Sequence, residues 1–213
     1  MIQRPLTIGS TFSGYGGLEM GVQSVLGGEV AWHCEVEDAP SRILAHRWPG
    51  VPNLGDITAV DWHSVPRVDV LTGGYPCQPF SLAGQRDGAA DRRHMWPHVA
   101  DGISVLRPRL CVFENVRGHL TLGFDEVLRD LHQLGYRASW MLARASEVGA
   151  PHARARIFIF AERGRHDAGV CGRTDRRRGV SRDSGGWRNL PGAAQGQHDG
   201  QGAPCAQGDE AHV

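Results

Sequence analysis

From about residue 6 to residue 162, short apolar runs alternate with segments whose apolar residues recur every three to four positions. Leu6 to Phe12, Val30 to Cys34, Val68 to Thr72, Leu110 to Glu114, Tyr136 to Leu142 and Arg156 to Ala161 read as strands. Helical spacing runs through Leu18, Met20, Val22, Val25 and Leu26, then over Ser41 to Arg47, Met95 to Leu106, and Phe124, Val127, Leu128, Leu131 and Leu134. Gly27-Gly28, Pro49, Pro108 and Gly135 stand where these helices should stop, because glycine favours the left-handed exit and proline cannot continue the ladder. The order predicts an α/β domain, doubly wound around a mostly parallel sheet, with ligand sites beyond the carboxyl ends of the strands.

The pattern ends near residue 163. From there to Val213 the chain is Gly, Arg, Ala, Gln, Asp and Ser with almost no apolar periodicity. Such a composition buries too little surface to offset chain entropy, so a domain over 1–162 and a disordered or partner-dependent tail over 163–213 are expected.

Composition sharpens this picture in three places. A chain of 213 residues suits one sizeable domain, and no apolar stretch approaches the ~20 residues that span a bilayer. Cys34, Cys77, Cys111, Cys171 and Cys205 are widely spaced with no C-x-x-C pair. This argues against a disulfide framework or a zinc site and favours a reducing cytoplasmic location, with no metal expected. Formal net charge is zero and every basic residue is arginine; a GC-rich coding sequence accounts for the missing lysine, and any nucleic-acid surface must be local.

Three segments carry chemistry. Gly74-Tyr75-Pro76-Cys77-Gln78-Pro79-Phe80-Ser81 follows a buried strand and delivers a thiol at its end, well placed for attack on a bound group. Phe12-Ser13-Gly14-Tyr15-Gly16-Gly17 is a first strand-to-helix turn that lets backbone approach a ligand at a helix N-terminus, although a plain tight turn would look the same. It is not the dinucleotide fingerprint, whose last glycine is here Glu19. Phe113-Glu114-Asn115-Val116 ends an apolar strand in a carboxylate suited to proton chemistry. Taken alone, Cys77 could be an inert thiol, Glu114 a strand-end ion pair and Asp56 a turn residue.

In identity, order and approximate spacing the three segments together resemble the C5-cytosine DNA methyltransferases, of phage and bacterial type. The resemblance implies an S-adenosyl-L-methionine (AdoMet)-dependent, Rossmann-like domain that methylates C5 of a flipped-out cytosine. It implies Cys77 as covalent nucleophile and Glu114 as the acid that hydrogen-bonds the base. Arg154 and Arg156, from His152-Ala153-Arg154-Ala155-Arg156, resemble the family's Q-x-R-x-R element with histidine replacing glutamine; Arg156 is expected at the cytosine oxygen and Arg154 at the catalytic loop or a phosphate. For the cofactor it implies Phe12 against the adenine, with Ser13, Gly14, Gly16 and Gly17 around the methionine part. Glu35 would hold the ribose, Val36 pack on the adenine, Asp56 and Ile57 belong to the next motif, whose aspartate accepts from the adenine amino group, and Pro76 belong to the cofactor site. Ser81, Gln85 and Arg86 fall in a polar, glycine-rich loop expected to close over double-stranded DNA.

The resemblance covers roughly residues 6 to 162. The target-recognition region and the final G-N-S-V-like helix of full-length members are not recognisable here, so a chain truncated after the Q-x-R-x-R element, or split and completed by a second polypeptide, is one expectation. A cytosine-C5 tRNA methyltransferase on the same scaffold and an inactive AdoMet-binding subunit are the alternatives.

Overall fold

The computed structural model describes residues 4–76, 95–164 and the backbone of 194–197. Its elements follow the alternation read above: β1 (Thr7–Thr11), α1 (Gly17–Leu26), β2 (Glu29–Cys34), α2 (Asp38–Arg47), β3 (Val70–Gly73), α3 (Trp96–Leu106), β4 (Leu110–Val116), α4 (Phe124–Gln133), β5 (Tyr136–Arg144), β6 (Ala155–Arg163) and β7 (Ala194–Gln197). One sheet holds the strands in the order β2-β1-β3-β4-β6-β5-β7. Parallel ladders join β2 to β1, β1 to β3 and β3 to β4, whereas β6 runs antiparallel between β4 and β5. β1 to β5 therefore point one way, as expected of a mostly parallel sheet, and antiparallel pairing is confined to the β6/β5/β7 end.

Helix ends obey the local rules. Gly16, at φ 81°, caps α1, and α2 starts at Asp38, earlier than Ser41, because Pro40 is tolerated in a first turn. Arg107 closes α3 in the left-handed region at φ 52°, just before Pro108, which disfavours a helical predecessor. Most of the expected tail lies outside the described residues; Arg163 ends β6, and 194–197 pairs with β5 as an edge strand that composition did not predict.

The two faces of the sheet are unequal. One carries a large core in which Trp32, Leu71, Phe113, Ile157 and Ile159 meet Ile103 of α3 and Leu131 of α4. The other carries a small cluster of Ile8, Val70 and Val112 under Val22 of α1. At about 1.5–3 kcal/mol for each fully buried large apolar side chain, the α3/α4 face supplies most of the hydrophobic stabilisation. Among the described residues no helix is long and apolar enough to cross a membrane.

Trp32 sets a tight constraint inside the larger core. Its ring is fully buried, its Nε1 donates to the Pro66 carbonyl (3.0 Å), and a Cβ on Gly9 would sit 2.2 Å from the ring. Gly9→Ala should destabilise the fold by about 1–3 kcal/mol through overpacking, read as a lower urea midpoint. An unchanged midpoint would mean that the indole moves aside freely.

Candidate active site

The parallel ladders end level with one another. Thr11 is opposite both Cys34 and Gly73, and Gly73 is opposite Phe113. The residues that follow (Phe12, Glu35, Gly74 and Glu114) consequently form a row along the carboxyl edge, where β1 separates connections that leave in opposite directions. A Cβ on Gly74 would lie 3.5 Å from Glu114 Oε2 and 3.9 Å from the Phe12 carbonyl oxygen, so the ends of β1, β3 and β4 converge on one crevice.

At the β1 end, Phe12 adopts φ 51°, an uncommon left-handed state for a non-glycine residue, and its half-buried ring packs on the larger core. Gly14 (φ 53°) and Gly16 (φ 81°) complete the turn into α1. Gly16 is required twice over: a Cβ there would also lie 2.4 Å from the Trp48 ring. Gly14 and Gly17 have open space at their Cβ positions among the described residues, as a backbone that receives a ligand needs. Ser13 is buried, accepts the Cys34 N–H (3.4 Å) and donates to Ser10 Oγ (2.8 Å).

Glu35 is the hub of the β2 end. Its Oε2 accepts the Gly14 N–H and its Oε1 the Glu37 N–H, each at 2.8 Å. Asn53, which sequence reasoning passed over, clamps the backbone of residue 35 from both sides: Glu35 N–H donates to Oδ1 (2.9 Å), and Nδ2 donates to the Glu35 carbonyl (2.9 Å). Its only signal was an Asn two residues before the Gly55-Asp56 pair. Val36 is 70% exposed beside this hub. Asp56 spends Oδ1 on the Thr58 N–H and hydroxyl, bonds that hold its carboxyl below the usual carboxylate range. Ile57, the next residue of that motif, has a side chain that is 4% exposed and belongs to the larger core.

At the β3 end, Asn115 Nδ2 donates to the Tyr75 carbonyl (2.9 Å), and the Tyr75 hydroxyl meets His119 Nε2 at 2.8 Å. His119 Nδ1 faces the Leu122 carbonyl (2.9 Å), and burial pushes the imidazole down and keeps it neutral. With Nδ1–H donating to Leu122, Nε2 is left to accept from Tyr75. Pro76 is exposed at the end of this braced segment. Cys77, Ser81, Gln85 and Arg86 lie outside the described residues.

At the β4 end, Arg156 Nε contacts Glu114 Oε1 at 2.5 Å, with both side chains partly exposed. Arg156, expected at the cytosine oxygen, is thereby held beside Glu114 through Nε. Arg154 is exposed, and its carbonyl accepts the Ala145 N–H (2.9 Å). Among the described residues no group of three His, Cys, Asp or Glu side chains is arranged for a metal ion.

A model of the C-5 cytosine-specific DNA methylase family matches residues 6–177, and the chain belongs to that family. Type II methyltransferase M.HgiBI of Herpetosiphon aurantiacus is 35% identical over 156 residues, covering 70% of this chain and 35% of the relative. Type II methyltransferase M.NgoBV of Neisseria gonorrhoeae is 32% identical over 165 residues, covering 70% and 39%. The fold matches the crystal structure of S. pombe Dnmt2 methyltransferase with TM-score 0.65 at 18% identity, over 74% of this chain and 51% of that one. The chain thus spans 35% and 39% of the lengths of these two curated relatives.

Membership implies AdoMet as methyl donor, and the residues present fit that ligand. Glu35 uses one acceptor site on each oxygen for backbone, which leaves the other sites for a ribose diol. Open glycine backbone and the exposed Val36 flank it. Since Asn53 sets the height of Glu35, Asn53→Ala should lower stability by about 0.5–1.5 kcal/mol in chemical denaturation. A variant as stable as the parent would show that water replaces the clamp at no cost.

Proposed function

We propose that this chain is the catalytic, AdoMet-binding part of a DNA (cytosine-5)-methyltransferase. The observation that carries the reading is the convergence of Phe12, Gly74 and Glu114 on one crevice, with the segment braced by Tyr75 and Asn115 running directly into Cys77. Double-stranded DNA is the substrate, and a cytosine must leave the stack to enter the crevice, at a cost of a few kcal/mol.

The Cys77 thiolate adds to C6 of the flipped base, and the displaced electron pair makes C5 nucleophilic. Glu114 hydrogen-bonds N3 and the 4-amino group as charge develops there, while Arg156 fixes the carboxyl through Oε1 and leaves Oε2 on the Gly74 side. Bound AdoMet supplies the methyl group that C5 takes up. Loss of the C5 proton and departure of the Cys77 thiolate then restore the aromatic ring. Glu35 holds the ribose, Phe12 and Val36 cover the adenine, and Asp56 offers Oδ2 to its amino group. Arg154, Ser81, Gln85 and Arg86 contact the DNA. Relatives of more than twice this chain's matched span support a further reading, that site recognition resides in a region supplied by a second polypeptide or by chain beyond the matched part.

Two measurements test the reading. Cys77→Ser should abolish covalent trapping on DNA carrying 5-fluorocytosine while leaving AdoMet affinity near the parent value, and trapping that survives the mutation would remove Cys77 from the mechanism. Glu35→Ala should weaken AdoMet by about 1–3 kcal/mol in calorimetry, the cost of leaving polar groups unpaired. Undiminished affinity would place the adenosyl pocket elsewhere.

A further inference from the structure

Beneath the glycine turn lies a carboxyl that the mechanism above does not use. Glu19 sits in the first turn of α1 and is 1% exposed. Its Oε1 accepts the Ser10 hydroxyl, Ser10 accepts the Ser13 hydroxyl (2.8 Å), and Ser13 accepts the Cys34 N–H (3.4 Å). This relay ties α1, β1, the turn and the end of β2 to a single carboxyl. Glu19 Oε2 is buried and has no hydrogen-bond partner among the described residues.

That orphan atom is informative. Ionised, Glu19 carries a buried charge with one of its two oxygens unpaired; protonated on Oε2, it buries a donor with no side chain to receive it. The Glu19 backbone amide offsets part of this cost, yet Oε2, like both ring nitrogens of His33 beside it, is left without a side-chain partner among the described residues, so a water or a cation can complete the site. AdoMet can bring that charge: its methionine end carries an ammonium, a carboxylate and a sulfonium, a net single positive charge, and the reading above lays this end along Gly14 and Gly16.

Resting on that reading, we propose that Glu19 is a positioning residue for the cofactor, its carboxyl setting the turn through Ser10 and Ser13 and ionising when the cationic methionine end binds. The free chain is prepared for the switch. Burial, helped by the nearby Glu35 carboxylate, pushes the Glu19 carboxyl up to about 7, so it gives up its proton near neutrality. The other titratable groups around it do not supply the missing charge. His33 of β2, opposite Ser10, is held neutral by burial. Arg47 of α2 rests its guanidinium on the Met20 sulfur, outside the relay. α1 has no second ionisable residue, and Ser10 and Thr72 are the polar residues that β1 and β3 place level with the relay.

Calorimetry of AdoMet binding to the 213-residue chain, in buffers of different ionisation enthalpy, tests this. The parent should release a fraction of a proton near pH 7 and bind about tenfold more tightly at about pH 8 than at about pH 6, as an added ion pair in a partly buried site implies. Glu19→Gln, which mimics the neutral acid, should release no proton and show pH-independent affinity near the parent's low-pH value. Ser10→Ala, which cuts the relay and keeps the carboxyl, should bind more weakly at about pH 8 than the parent. As a check on the titrating group, the stability of the parent relative to Glu19→Gln should fall as pH rises from about 4.5 toward 7, because the unfolded chain ionises Glu19 first, whereas the depressed His33 and His119 imidazoles act with the opposite sign equally in both chains.

If Glu19→Gln keeps both the proton release and the pH dependence, the proposal is wrong. It fails equally if the parent's affinity is flat with pH while Glu35→Ala still weakens binding, a result that leaves the cofactor site intact. A parent chain that binds no AdoMet at any pH overturns the cofactor reading and this inference with it.

Discussion

The site depends on the register of β1 with both neighbours. Because Thr11 stands level with Cys34 on one side and Gly73 on the other, the glycine turn, Glu35 and the Tyr75 segment emerge at one height, and the β3–β4 ladder adds Glu114. A slip of one residue in either ladder would turn every side chain of the slipped strand to the opposite face. Small residues permit this register at its tightest points. Gly9 accepts the Trp32 ring, and Gly73 lies so close to Thr11 that a Cβ would meet its hydroxyl at 2.4 Å. The register is also tied below the edge: Asp69 binds Arg4 through both carboxylate oxygens and receives the Thr7 N–H, joining the starts of β1 and β3.

Much of this was legible in the sequence, and the reasons are physical. Buried parallel strands read as continuous apolar runs, and α4 presents Phe124, Val127, Leu128 and Leu131 at strict helical spacing, so element type and order follow from periodicity alone. Direction is harder, because pairing is non-local. β6 lies between β4 and β5, although β5 precedes it in the chain. The short link from Arg144 to Ala155, too short for a crossover helix, was the available clue that β5 and β6 pair antiparallel. The row of site residues came from motif identity, whereas Asn53, His119 and the Glu19 relay are tertiary coincidences that no local spacing encodes. Ile57 illustrates what the motif alone did not convey, the burial of its side chain. It sits beside Asp56 in the motif, yet an apolar residue at the start of a 3-10 turn over the core is drawn inward by burial.

The two sheet faces divide the labour. The α3/α4 face, with its aromatic chain of Tyr75, Trp96, Phe113, His119, Phe124 and Trp140, forms a rigid platform under the strand ends. The α1 face is thin and polar near its edge, where Ser10, Ser13, Glu19 and His33 take the place of apolar packing. A core built of hydroxyls and a carboxyl stabilises less per side chain but can change its protonation and hydrogen bonding, which an apolar core cannot. The larger apolar core and the buried polar relay thus occupy opposite sides of one sheet.

The antiparallel strand completes the edge. A parallel β6 would turn its last residues toward the carboxyl edge; the antiparallel one turns its first residues there, with Arg156 beside Val116. Arg156 pairs with Val116 and Phe158 with Glu114, so Arg156 is the diagonal neighbour of Glu114 on the same face and within reach of its carboxylate. That direction places a fixed positive charge against the carboxyl which, in the proposed mechanism, meets the base. The reversal at the end of an otherwise co-directional sheet is therefore what lets two chain segments separated by more than forty residues meet in one ion pair at the carboxyl edge.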